Sequence, residues 1–236
     1  DIPSLRLMTC STAPLSPDQW ERFERMYGVT LLQLYGMSEA GWICGNRHYR
    51  RRVGPVGPPG KHQELRIVDG AGTQCAVGVE GEVTVGGPQT CLGIIPPDGE
   101  FEDLSEVRIS TGDLAVMDDD GFVTVTGRTK DLIIRGGVNI APLEIDNVLL
   151  SDFRVLEAAA IGVPDDIYGE DIVCYVVVKP GETLSAEDVR QHCASALAEF
   201  KVPKAVEFID DLPKSDRGKV RRDDLKKLWA REHLLP

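Results

Sequence analysis

Residues 127–142 read GRTKDLIIRGGVNIAP and separate two parts of the chain whose apolar residues follow different patterns. Upstream, short alternating runs are punctuated by glycine: HQELRIVD, EGEVTVGG and GDLAVMDDDGFVTVTGR. The DDDG inside the last of these is a hairpin signal, and strands at this spacing predict a small β-barrel or a distorted sheet. Downstream, PLEIDNVLLS reads as helix, VLEAAAIGV and EDIVCYVVV as strands, AVEFID as strand and RDDLKKLWAREHL as helix. Between them SAEDVRQHCASALAEF reads as a helix capped by Ser185, with Asp188 three residues on. Such alternation over about 95 residues builds a compact α+β domain, so the stretch at 127–142 is a junction between domains.

The beginning of the chain predicts a β-α-β unit. LRLMTC (5–10) is a strand. In the following helix Ser16 is the N-cap, Pro17 takes the first position, Gln19 closes a capping box and Gly28 supplies the stop. Trp20, Phe23 and Tyr27 share one face, and TLLQLYG (30–36) is the second strand, ending in a turn where open α/β sheets place ligand groups. The expected fold class is therefore α/β and α+β: an αβ segment over 1–48, a β-rich subdomain over 49–129 and an α+β domain over 130–236.

A formal net charge of −12 over 236 residues, with Lys and Arg scattered, argues against a nucleic-acid partner. No apolar run reaches the roughly 18 residues of a membrane span. The six cysteines form no C-x-x-C pair and read as reduced thiols in a cytoplasmic protein. Because the chain opens at Asp1 and enters a strand almost at once, it reads as a piece of something longer.

Four stretches could carry chemistry, and each has a plainer alternative. YGMSEAG (35–41) puts Ser38 and Glu39 directly after a strand end, either as solvated loop residues or where Mg²⁺ would be held through hard oxygens and substrate phosphates. STGD (110–113) is either an Asp-containing turn or a carboxylate able to accept from both hydroxyls of a ribose. In PKSDRGKVRR (213–222), Gly218-Lys219 is either exposed punctuation or a lysine on a loop that meets charge developing during reaction. Gly136 and Gly137 are either a strand-end irregularity or a place where a ligand passes close to the backbone. GPVGPPG (54–60) is too short for a collagen-like repeat, and MDDDG lacks the spacing of a calcium loop.

Taken in order, YGMSEAG, EGEVTVGG, STGD, GRTKDLIIRGGVNIAPLEID and LPKSDRGKVRR resemble the downstream motifs of the adenylate-forming superfamily, which includes acyl-CoA synthetases. The resemblance implies attack of a small-molecule carboxylic acid on ATP, giving an acyl-adenylate, and then capture of the acyl group by a thiol. It implies that Tyr35 and Gly36 border the adenine, Ser38 contacts phosphate, Glu39 holds Mg²⁺, Asp113 binds the ribose and Arg128 contacts the nucleotide. Lys219 would bridge carboxylate and phosphate oxygens, Lys130 would be the hinge of a mobile C-terminal domain, and Gly136 and Gly137 would line the channel for the pantetheine arm of CoA.

CSTAPLS (10–16) resembles the adenine-contacting loop through Ser11, Thr12 and Ala13, although glycine or alanine is common where Ser11 and Thr12 stand. Val138 replaces a glutamate common in the family, and Ile109 stands near a position often taken by Trp. The family's Ser/Thr/Gly-rich phosphate loop lies well upstream of these motifs and does not occur in this sequence, so the resemblance covers the downstream half and implies an N-terminal half or parent polypeptide. RGGVNIAP and PKSDRGK are more similar to acyl-CoA synthetases than to peptide-synthetase domains, which favours CoA over a carrier-protein thiol. A non-catalytic fragment binding nucleotide or acyl-adenylate is the other alternative.

Overall fold

A computed structural model describes residues 4–233. The chain divides into two compact units, Asp1–Thr129 and Lys130–Pro236.

The first unit opens with β1 (Leu7–Cys10), α1 (Pro17–Tyr27) and β2 (Thr30–Met37), with β1 and β2 parallel. Both halves of the capping box form: the Gln19 N–H donates to Ser16 Oγ at 3.2 Å, and the Ser16 N–H to Gln19 Oε1 at 3.3 Å. Gly28 ends the helix at φ 63°, its N–H bonding Glu24 O. Of the three aromatic residues on the predicted face, only Trp20 is buried; Phe23 and Tyr27 pack on each other, with Tyr27 exposed. Next, β3 (Gly41–Gly45) folds back antiparallel on β2, completing a sheet of order β1-β2-β3.

β4 (Glu64–Val68), β5 (Gly81–Gly86), β6 (Gly93–Ile94), β7 (Glu102–Asp103), β8 (Ile109–Met117) and β9 (Val123–Arg128) complete the unit. The expected barrel does not form. β4-β5-β8-β9 is an open antiparallel sheet, and β6-β7 is a separate ribbon. Barrel closure needs strand number, tilt and stagger to agree, and here the two edges meet other backbone instead of each other. Val68 of β4 bridges Gln74, and Val123 of β9 bridges Gly57. The DDDG segment is the hairpin turn, with Phe122 N–H on Asp118 Oδ1 at 2.8 Å and Gly121 at φ 75°.

A 3-10 turn over Thr129–Asp131 spans the boundary between the units, and Lys130 within it opens the second. The second unit continues with β10 (Ile133–Arg135), β11 (Val138–Ile140), α2 (Pro142–Ser151), β12 (Val155–Asp165), β13 (Gly169–Val178), α3 (Ala186–Ala196), β14 (Ala205–Phe208) and α4 (Arg222–His233). The sheet order is β11-β10-β13-β12, with β14 parallel to β13. The continuous apolar runs of β12 and β13 reflect cover on both faces. Ala158, Ala160, Ile172, Cys174 and Val176 pack with Ile145 and Leu149 of α2 and Val189 and Cys193 of α3. The alternate residues Ala159, Ile161, Val173 and Tyr175 pack with Leu225 of α4. Among the described residues, no helix is long and apolar enough to cross a membrane.

Gly136 (φ 58°) and Gly137 (φ 80°) form the two-residue turn between β10 and β11. Positive φ at both positions is the requirement of a type I′ hairpin, so the turn itself demands the pair. A Cβ at Gly137 would meet nothing within 4 Å. Gly137→Ala should therefore destabilise the second unit by about 1 kcal/mol through backbone conformation alone, and Gly137→Asn by less. Urea midpoints of the two variants test that order; equal midpoints to the parent would contradict it.

Candidate active site

Parallel pairing sends the chain out of β1 and β2 at the same end of the sheet. From β1 it enters Ser11–Thr12–Ala13, where Thr12 holds φ 85°. A β-branched residue in that region is strained, whereas a glycine would adopt the conformation without the clash. Ser11 and Thr12 are exposed and Ala13 is half-buried.

From β2 the chain passes through Tyr35, Gly36, Ser38 and Glu39. Gly36 lies at a register shift, and a Cβ there would sit 2.2 Å from Gly41 O. The hairpin therefore excludes any larger residue at position 36. Buried Gln63 holds the turn from below, its Nε2 donating to Ala40 O at 2.9 Å and Trp42 O at 3.0 Å. The Glu39 carbonyl accepts from Cys91 N–H at 2.7 Å, leaving its carboxylate as the acidic group of the turn. Ser38 is exposed.

Tyr35, Asp113 and Arg128 come together from three strands. The Tyr35 phenol donates to Asp113 Oδ2 at 2.6 Å, and Arg128 Nε donates to Asp113 Oδ1 at 2.6 Å. Asp113 and Arg128 are direct cross-strand partners, whereas Tyr35 reaches Asp113 from the other sheet. The turn before Asp113 is tied down: Thr111 Oγ1 accepts from the Asp113 N–H at 3.1 Å and donates to Val83 O at 2.9 Å, and Thr129 Oγ1 donates to Gly112 O at 2.8 Å. Burial, followed by the Asp113 charge, pushes the Tyr35 pKa well above the ordinary phenol value, so the hydroxyl stays a donor. Asp113 is buried while Arg128 stays half-exposed, so the constellation presents an aromatic ring, a fixed carboxylate and a guanidinium. Each carboxylate oxygen keeps capacity for a further donor.

Tyr35→Phe removes one donor from a buried carboxylate and is expected to cost about 1–3 kcal/mol. Chemical denaturation would show it; a loss below the error of the midpoint would mean that water replaces the phenol.

Glu39 offers one carboxylate, and among the described residues no group of three His, Cys, Asp or Glu side chains could hold a metal ion by itself. That donor set suits Mg²⁺, which is commonly bound through one or two carboxylates and completed by substrate phosphates and water.

In the second unit, Lys219 lies on an exposed hairpin closed by Lys214 and Val220. The Ser215 N–H donates to Lys219 O at 2.8 Å, the Lys219 N–H to Ser215 Oγ at 3.2 Å, and Gly218 makes the turn at φ 76°. At the Gly136-Gly137 turn, the Gly136 N–H donates to Tyr168 O at 2.8 Å.

Sequence reasoning singled out Tyr35, Asp113 and Arg128 separately but not their mutual bonds, because nothing local marks a partner 78 residues away. Thr129 and Gln63 were missed outright. A hydroxyl beside Arg128 carries no signal, and a buried glutamine reads like any surface one.

Residues 1–95 match the family model described as AMP-binding enzyme, and residues 144–219 match the AMP-binding enzyme C-terminal domain. A long-chain-fatty-acid–CoA ligase of Yersinia pestis is 38% identical over 232 residues, 96% of this chain and 41% of the relative. An oxalate–CoA ligase of Arabidopsis thaliana is 36% identical, over 94% of this chain and 44% of the relative. Among solved structures, ATP-bound MatB from Rhodopseudomonas palustris is similar with a TM-score of 0.86 and 34% identity, over 94% of this chain and 45% of that one. The chain thus spans less than half the length of these proteins.

Proposed function

Because the chain belongs to the adenylate-forming AMP-binding enzymes, we propose that the protein carrying it is an acyl-CoA synthetase acting on a small-molecule carboxylic acid. In the first step a carboxylate oxygen attacks the α-phosphorus of ATP and pyrophosphate leaves. In the second the CoA sulfur attacks the acyl carbon and AMP leaves. The observation that carries this proposal is the convergence of Tyr35, Asp113 and Arg128. A ring for adenine, a carboxylate for ribose hydroxyls and a guanidinium for the nucleotide are what recognition of ATP requires at one place.

We assign Gly36 and the Ser11–Ala13 loop to the border of the adenine site, and Ser38 to a phosphate. Glu39 would hold Mg²⁺, which when bound neutralises charge on the phosphate oxygens. Lys219, on its exposed hairpin, would bridge the attacking carboxylate and the α-phosphate. The division of the chain between Thr129 and Lys130 supports Lys130 as the pivot that changes the pose of the C-terminal domain between steps. The exposed turn at Gly136 and Gly137 would admit the thin pantetheine arm of CoA. A cytoplasmic location fits six free cysteines.

The test uses the full polypeptide as the cell makes it. Acid-dependent ATP–pyrophosphate exchange is expected with some member of a panel of carboxylic acids, followed by an acyl-CoA thioester detected by mass when CoA is added. Exchange with transfer only to a carrier-protein phosphopantetheine would replace CoA as the acceptor. Tight ATP binding without exchange for any acid would make the protein a nucleotide-binding one.

A further inference from the structure

The Lys219 hairpin is anchored on both of its stems to the same edge strand. On the entering side Lys214 pairs with Glu157 of β12. On the leaving side Arg222, the first residue of α4, pairs with Asp146 of α2, and its Nε donates to Ala160 O of β12 at 3.1 Å. Asp146 Oδ1 in turn accepts the Ala160 N–H at 2.7 Å. Among the described residues β12 is an edge of the sheet, with no strand beside Ala160 on that side. Asp146 and Arg222 supply the acceptor and the donor that a strand would have supplied, and they are bonded to each other. Asp146 is buried and the Arg222 side chain is nearly so. A final backbone bond, Arg221 N–H to Pro213 O at 2.8 Å, closes the stem between the two anchors.

Holding α4 in place does not need so much charge. Leu225 is fully buried, and Leu228 and Trp229 pack against the same core. A buried ion pair is a poor stabiliser compared with apolar packing, but it fixes geometry.

We propose that Lys214–Glu157 and Arg222–Asp146 are positioning pairs that fix the Lys219 hairpin on β12 and so set where the Lys219 ammonium reaches. The inference rests on the assignment of Lys219 to the adenylation step. A displacement of about 1 Å of a reacting group can cost on the order of 10²-fold in rate, so loosening either stem should be felt in adenylation and not in the thiol step.

The experiment measures both half-reactions of the full polypeptide in Asp146→Asn, Lys214→Met, the charge exchange Lys214→Glu with Glu157→Lys, and Lys219→Ala. Each single anchor variant is expected to lower kcat of pyrophosphate exchange about 10–100-fold, with KM for ATP within about twofold. Thioester formation from supplied acyl-adenylate and CoA should stay within about twofold of the parent, and the charge exchange should recover most of the lost exchange rate. Should Asp146→Asn fail to fold, the half-exposed Lys214–Glu157 pair carries the comparison alone. Loss of both half-reactions in equal measure, or no recovery on charge exchange, would overturn the proposal in favour of a merely structural role. Exchange unaffected by the anchors but reduced by Lys219→Ala overturns this inference alone. Exchange unaffected by Lys219→Ala overturns the assignment of the lysine and the inference with it.

Discussion

Lys219→Ala is expected to reduce acid-dependent pyrophosphate exchange by about 10²–10³-fold, the cost of losing one preorganised contact to charge that develops in a transition state. Arg221 is committed to Asp224 at 3.0 Å, and the hairpin geometry that presents Lys219 is fixed by Ser215 and Gly218. Lys219→Arg should fall between parent and alanine, because a planar guanidinium keeps the charge but not the compact ammonium. The side chain is exposed and outside the cores, so unfolding midpoints should move by no more than about 0.5 kcal/mol. Thioester formation from supplied acyl-adenylate should be unchanged, which separates loss of this contact from general damage. Full exchange activity in the alanine variant would remove Lys219 from the adenylation step.

The second large effect concerns stability. Glu24→Gln should lower the stability of the first unit at pH 7 by about 1–2 kcal/mol, and the deficit should vanish in acid. Glu24 ties α1 to β2 and to the loop that carries Arg51: Arg51 donates to it twice, at 2.7 and 2.8 Å, the Leu31 N–H donates at 2.7 Å, and Trp20 Nε1 of the same helix at 3.3 Å. The Arg51 hydrogen bonds, assisted by the Leu31 and Trp20 donors, hold its carboxyl down at about 2 against the ordinary 4.5. Such a shift corresponds to about 3 kcal/mol, and screening by water at the partly open pair reduces it to the smaller figure. A carboxyl whose pKa falls on folding contributes fully above pH 4.5 and loses that contribution as pH falls toward 2. Urea midpoints of parent and variant should therefore differ at pH 7 and draw together as pH falls from 4.5 toward 2. Curves that stay parallel over that range would mean that the glutamine costs packing rather than charge.

Glu24 also marks the boundary of what a linear reading can find. Ser16 with Gln19, Gly28, and Ser185 with Asp188 were all legible as caps and took those roles, because a cap is a relation between residues three or four apart. Glu24 is one more charge on a helix until Arg51 and Leu31 are brought to it. The alternation that predicted strands around DDDG was equally sound, yet it could not say whether the strands would close. Closure depends on what meets β4 and β9, and Gln74 and Gly57 bridge those strands from outside the sheet.

The sequence by itself determined the helix caps, most of the longer strands and helices, the change of pattern around 127–142 and the motifs at 35–41, 110–113 and 213–222, since each depends on residues close along the chain; the short strands β3, β6, β7, β10 and β11 carry too few residues to show a period. Only the tertiary structure decided that the sheet stays open, that Asp113 is shared between Tyr35 and Arg128, and that the Lys219 hairpin is anchored at both stems. The last two are pairings of charged and polar groups across 15 to 78 residues. Such pairs need only opposite chemistry and proximity, and proximity is created by the packing of the strands and helices that carry them.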